Sequence, residues 1–96
     1  MMYDYELEEL ERRLPEHLRG AYTTPPEEHA SWSETAMALY QDLFHAGFDI
    51  QQVHMIACHA ACNKHRDKPE IVREATMEQV LLAKLNVEQD NNKEEK

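Results

Sequence analysis

Ninety-six residues, 42% hydrophobic and 30% charged, specify one soluble domain with a single modest core. A formal net charge of −9 argues against a nucleic-acid grip through phosphates, which needs clustered Lys and Arg, disfavours anionic membrane surfaces, and favours partners with basic patches. Two Gly and four Pro supply too little turn chemistry for a β fold, and no apolar run reaches the ~20 residues that span a bilayer.

Tyr3, Leu7, Leu10 and Leu14 step by four, three and four, which predicts an N-terminal helix with one apolar stripe on an acidic body. Glu8 with Arg12 and Glu9 with Arg13 have the spacing and polarity of stabilising pairs on that helix. Pro15 ends or bends it at Leu14, because the ring removes a donor and restricts the preceding residue. Leu18 continues the contact in a short extra turn, Gly20 releases the chain, and residues 20–24 read as a linker.

The next helix has two start signals. Thr24 before Pro25-Pro26-Glu27 places Pro at the first helical position, and Ser31-Trp32-Ser33-Glu34 is a Ser-x-x-Glu capping box. The expected span is Pro25 to Ala46. At 100° per residue Ala36, Leu39, Tyr40, Leu43 and Phe44 share one arc, joined by Trp32, with Glu34, Asp42 and His45 outside it. Gly47 suits the left-handed residue that ends a helix, and Asp49 with Gln52 suits a cap for the following one. That helix buries Ile50, Val53, Ile56, Ala57, Ala60 and Ala61 and is expected to continue through Cys62. Asp67-Lys68-Pro69-Glu70 starts a last helix that runs to Val87 or Glu88. The elements form an all-α domain over residues 1–88, a small three- to four-helix bundle with a central helical hairpin hinged at Gly47. Residues 89–96 read as a disordered polar tail.

Four clusters invite functional readings. His54, Cys58, Cys62 and His65 fall within about 80° of one helical edge and are ligand types that zinc prefers. One straight helix offers two ligands at i and i+4 rather than four around a tetrahedron, so no metal or other cofactor is expected. Cys58 and Cys62, four apart on a helix, would strain an internal disulfide. With no signal peptide in view, they indicate a reducing cytoplasm. The hairpin over residues 36–62 matches a helix-turn-helix, but its outward positions are Gln51, Gln52, Met55 and His59, without Lys or Arg, and nucleic acid is not the expected partner. A thiol beside His54 or His59 is not accompanied by an oxyanion hole or pocket motif, so catalysis is not expected.

The last helix carries the fourth cluster. Ile71, Ala75, Leu82 and Leu85 share one face, with Leu81 at its edge, and Val72, Val80, Ala83 and Val87 share another, with Thr76 among them. A helix apolar on two sides has more surface than a small chain readily hides. The second face is therefore the expected partner surface, most simply for a two-fold homodimer, unless the N-terminal helix covers it. The expected function is a small acidic protein-interaction module, a cytoplasmic regulator or accessory factor, with a helix-turn-helix regulator or a metal-binding His–Cys edge as alternatives.

Overall fold

The computed structural model describes the backbone of residues 2–27 and 31–94 and the side chains of residues 7–27 and 31–89. These residues form a bundle of five helices with no strand: α1 (Met2–Arg13), α2 (Glu16–Thr23), α3 (Trp32–His45), α4 (Ile50–His59) and α5 (Val72–Glu94). The expected all-α hairpin bundle is present. α3 and α4 form its centre, α5 packs across both, α1 lies on α4 and α2 on α3.

The N-terminal stripe is buried at Leu10 and Leu14, while Tyr3 lies outside the described side chains. Beyond Pro15 the chain forms a full helix, α2, where one turn and a linker were expected. Leu18 and Tyr22 are one turn apart and both enter the core, and that burial carries helix through the exposed Gly20, whose surroundings are open. The Tyr22 hydroxyl donates to Glu11 Oε2 at 2.6 Å, tying α2 back to α1. Burial, and then the Glu11 carboxylate, push this phenol above its ordinary range. The two expected ion pairs of α1 are replaced. Arg12 pairs with Glu9 at 3.7 Å, and the Arg13 guanidinium lies 5.1 Å from the centre of the buried Phe48 ring.

α3 begins at its second signal. Ser31 Oγ accepts from the Glu34 N–H at 3.2 Å and Trp32 is the first helical residue, so the expected start at Pro25 is corrected. The apolar stripe is buried at Ala36, Leu39, Tyr40 and Leu43, whereas Trp32, expected to join it, is 38% exposed. The hinge is a Schellman motif. Gly47 N–H donates to Phe44 O at 3.0 Å and Phe48 N–H to Leu43 O at 3.2 Å, and Phe48 and Leu43 share the core. Gly47 has φ of 102°, the left-handed region that favours glycine. The Asp49–Gln52 box is complete, with reciprocal bonds of 2.9 Å in each direction. Replacing Gly47 with Ala is expected to lower stability by about 1 kcal/mol, since a side chain at positive φ is strained although space is open. Urea denaturation measures this, and an unchanged midpoint would show that the hinge tolerates another backbone geometry.

α4 stops at His59, short of Cys62, for a tertiary reason. Continuing the helix would pair Ala61 N–H with Ala57 O. Ala61 N–H instead donates to Tyr22 O at 2.8 Å, and Ala57 O accepts from Asn63 Nδ2 at 2.8 Å and from Ala60 N–H at 3.2 Å. Asn63 thus caps α4 with its side chain, as a short amide can when it competes with the helix ladder. A run of turns follows, and α5 starts at Val72, with Pro69 in the turn before it. α5 continues to Glu94, past the expected end at Val87 or Glu88.

Candidate partner surface

The inner face of α5 is built from small and β-branched residues. Thr76, Val80 and Ala83 are at most 1% exposed, and Val72 and Val87 are half-buried at the two ends of the same face. α3 and α4 cover it, with Leu39, Tyr40, Leu43, Val53 and Ile56 filling the shared core. Val72, Val80, Ala83 and Val87 are therefore corrected as a dimer surface. Val80 and Ala83 lie wholly inside their own chain, and the central hairpin covers them rather than the N-terminal helix. Short side chains let α5 approach the hairpin closely, as interior packing requires.

Thr76 belongs to this interface through its hydroxyl. Asn63 Nδ2 donates to Thr76 Oγ1 at 2.8 Å as well as to Ala57 O, and Asn63 Oδ1 accepts from the His65 N–H at 2.9 Å. A buried side chain with three partners joins the end of α4, the following turns and α5. Asn63 carries no signal in helical periodicity, because its role depends on α4 ending before it and on Thr76 of the next helix.

The opposite face of α5 is bare. Leu81, Leu82 and Leu85 are 47–50% exposed and Ile71 is 41% exposed. Ile71, Ala75, Leu82 and Leu85 line up at steps that keep one side of a helix, a ridge about 21 Å long at the usual helical rise. Glu78 and Glu74 are exposed between and beside these leucines, and Glu88, one turn on, pairs with Lys84. The face thus mixes apolar residues with acidic ones, Glu74 and Glu78 lying within its arc. The sequence signal for it was the first of the two apolar faces, and periodicity alone could not tell which face turned inward.

No match to this chain is found among protein-family models, curated proteins or solved structures.

The His–Cys edge does not survive folding as one edge. Only His54 and Cys58 remain on α4; Cys62 and His65 lie in the turns, and Cys62 is fully buried. Among the described residues no three His, Cys, Asp or Glu side chains gather at a metal-binding distance. His54 Nε2 lies 2.9 Å from Arg73 O, and a carbonyl only accepts, so Nε2 carries the proton. Cys58 Sγ then sits 3.5 Å from the same N–H as a second acceptor. His65 Nδ1 is buried with no hydrogen-bond partner among the described residues. Both cysteines are free. Burial pushes the Cys58 thiol above its ordinary range, the Thr76 hydroxyl and the Arg73 charge offsetting part, and burial does the same to Cys62. Raised thiols stay protonated at neutral pH and are weak nucleophiles. Both are expected to react with a thiol-specific reagent at least tenfold more slowly than free cysteine at pH 7. Stopped kinetics with and without denaturant check this, and a fast native phase would place a thiolate in the fold.

On the would-be reading helix, Gln52 is engaged in its cap and Met55 packs against the core, which leaves Gln51 and His59 exposed. No described helix is long and apolar enough to cross a membrane.

Proposed function

We propose that this chain is a protein-interaction module whose working surface is the outer face of α5, and that its partner presents an amphipathic helix with a leucine-type ridge flanked by Lys and Arg. The observation that carries the reading is the division of α5: one apolar face is sealed inside the bundle, and the other, with Leu81, Leu82 and Leu85 about half exposed, has no cover among the described residues. Burying that face against a second helix removes apolar area from water, the main drive for association. Glu74 and Glu78, which share this face with the leucines, favour a partner that brings Lys or Arg to it, because opposite charges across an interface speed encounter and like charges reject wrong partners. Self-association is the weaker reading, since it brings together two chains that each carry −9 and apposes the same acidic residues. Action as a regulator or accessory factor follows from binding alone, without catalysis or a cofactor.

Calorimetric titration tests this with two helical peptides of identical leucine spacing, one flanked by Lys and one by Glu. The Lys-flanked peptide is expected to bind saturably and more weakly at high salt, as screened electrostatics require. The Leu82→Asp/Leu85→Asp variant is expected to lose at least tenfold in affinity while still unfolding cooperatively above the titration temperature, because both positions are half exposed. Equal affinity for the two peptides, or unchanged binding by the variant, overturns the proposal. A concentration-dependent dimer in light scattering that the variant abolishes would assign the face to a second copy instead.

A further inference from the structure

The turns between α4 and α5 form one wall of an open cavity of ≈ 590 Å³, and the exposed Trp32 at the start of α3 forms another. Lys64, Arg66 and Asp67 also line it. In a chain with 19 acidic and 10 basic residues, two cations against one carboxylate make this lining locally basic. Neither Lys64 nor Arg66 forms an ion pair among the described residues. Among the described residues Lys64 Nζ reaches only Ser33 Oγ, at 3.5 Å, which is a weak anchor. The turn that carries both cations is held from behind. Asn63 fixes it through Ala57 O, Thr76 Oγ1 and the His65 N–H, and Ala61 N–H is bonded to Tyr22 O. Charged groups on a braced turn lose less freedom on binding than groups on a loose one.

We propose that this cavity binds a small ligand in which a planar ring is joined to an anionic head. The ring lies against the Trp32 indole, and the head, a carboxylate or a phosphate ester, lies between Lys64 and Arg66. The volume falls in the range of small-molecule sites, about 300–1,000 Å³. An indole face stacks on any planar ring, and Arg with Lys supplies charge-assisted donors to either head group. Asp67 on the same rim limits the favourable charge and so favours a single head over a polyphosphate. The site is separate from the outer face of α5.

Trp32 is the only tryptophan, so its fluorescence reports occupancy without a label. The probes are adenosine monophosphate and phenylacetate, with adenosine and inorganic phosphate as the separate halves of the first. A saturable change is expected with at least one ring-bearing anion, at least tenfold tighter than with adenosine or phosphate alone. The stronger of the two tells a phosphate ester from a carboxylate. The Lys64→Ala/Arg66→Ala variant is expected to bind at least tenfold more weakly with an unchanged thermal midpoint, since both side chains are exposed. Leu82→Asp/Leu85→Asp is expected to leave the fluorescence titration unchanged, which separates this site from the α5 surface. No saturable change up to millimolar concentration with either ring-bearing anion, neither anion binding tighter than adenosine and inorganic phosphate, or full binding by the Lys64→Ala/Arg66→Ala variant overturns the proposal.

Discussion

Val80→Asp is expected to unfold the chain. Val80 is 0% exposed on the inner face of α5, between the equally buried Thr76 and Ala83 and against the central hairpin. An aspartate there has no described cation to meet it. An unpaired carboxylate in such a site costs several kcal/mol, and the lost valine packing adds to it. Small domains have only about 5–15 kcal/mol of stability in total, and a chain of this length sits at the low end. Circular dichroism at neutral pH is expected to show loss of cooperative unfolding. The matched control is Leu82→Asp, two residues away on the same helix, which is expected to stay within about 0.5–1 kcal/mol of the parent. Helix propensity falls for Leu→Asp and barely changes for Val→Asp, so a larger loss at Val80 reports burial. A folded Val80→Asp protein with a near-parental midpoint would mean that the inner face is open.

Asn63→Ala is expected to cost about 2–4 kcal/mol. The substitution leaves the Thr76 hydroxyl and the half-buried His65 N–H without their Asn63 partner and the Ala57 carbonyl with the Ala60 N–H alone, and a buried group left unpaired costs about 1–3 kcal/mol before relaxation or entry of water. Asn63→Asp keeps the shape and the acceptor for His65 N–H. It replaces the donor facing Ala57 O with an oxygen, and a carbonyl cannot turn into a donor. The Thr76 hydroxyl can rotate and recover part of the loss. The buried carboxyl is held above its ordinary range by desolvation and by Ala57 O, so the neutral acid is the form the fold tolerates. Stability of this variant is therefore highest at low pH and falls as pH rises through the unfolded-state value near 4 towards neutrality. Urea midpoints between pH 4 and 8 check both variants. A loss below 0.5 kcal/mol for Asn63→Ala would show that the amide is not what ends α4.

The difference between what could and could not be read from the chain follows the range of each signal. The hinge was legible because its parts are adjacent: Gly47 supplies the positive φ, and Asp49 and Gln52 cap each other within one turn. The stripe Ala36, Leu39, Tyr40 and Leu43 was legible for the same reason, since helical period is local. The end of α4 was not, because Tyr22 and Asn63 compete for its backbone groups across 39 and 6 positions of sequence. α2 was hidden behind Gly20, whose helical cost is outweighed by burial of Leu18 and Tyr22. Both apolar faces of α5 were visible, but periodicity gives no direction. The face with Thr76, Val80 and Ala83 turned inward, where its slim side chains allow close packing and the Thr76 hydroxyl finds Asn63. The larger leucines stayed outside, which reverses the expected partner surface. Trp32 lies at the first turn of α3, too far along the stripe to be covered, and so lines the cavity instead.

The central claim is that the leucine face of α5 is uncovered in the free protein. Hydroxyl-radical footprinting of purified protein at micromolar concentration, read residue by residue by mass spectrometry, measures this directly. Leu81, Leu82 and Leu85 are expected to be modified at rates near those of the denatured chain, while Leu39, Leu43 and Val80 stay protected. Protection of the three exposed leucines to the level of Leu43 would contradict the claim, and its loss on dilution would assign the cover to a second copy.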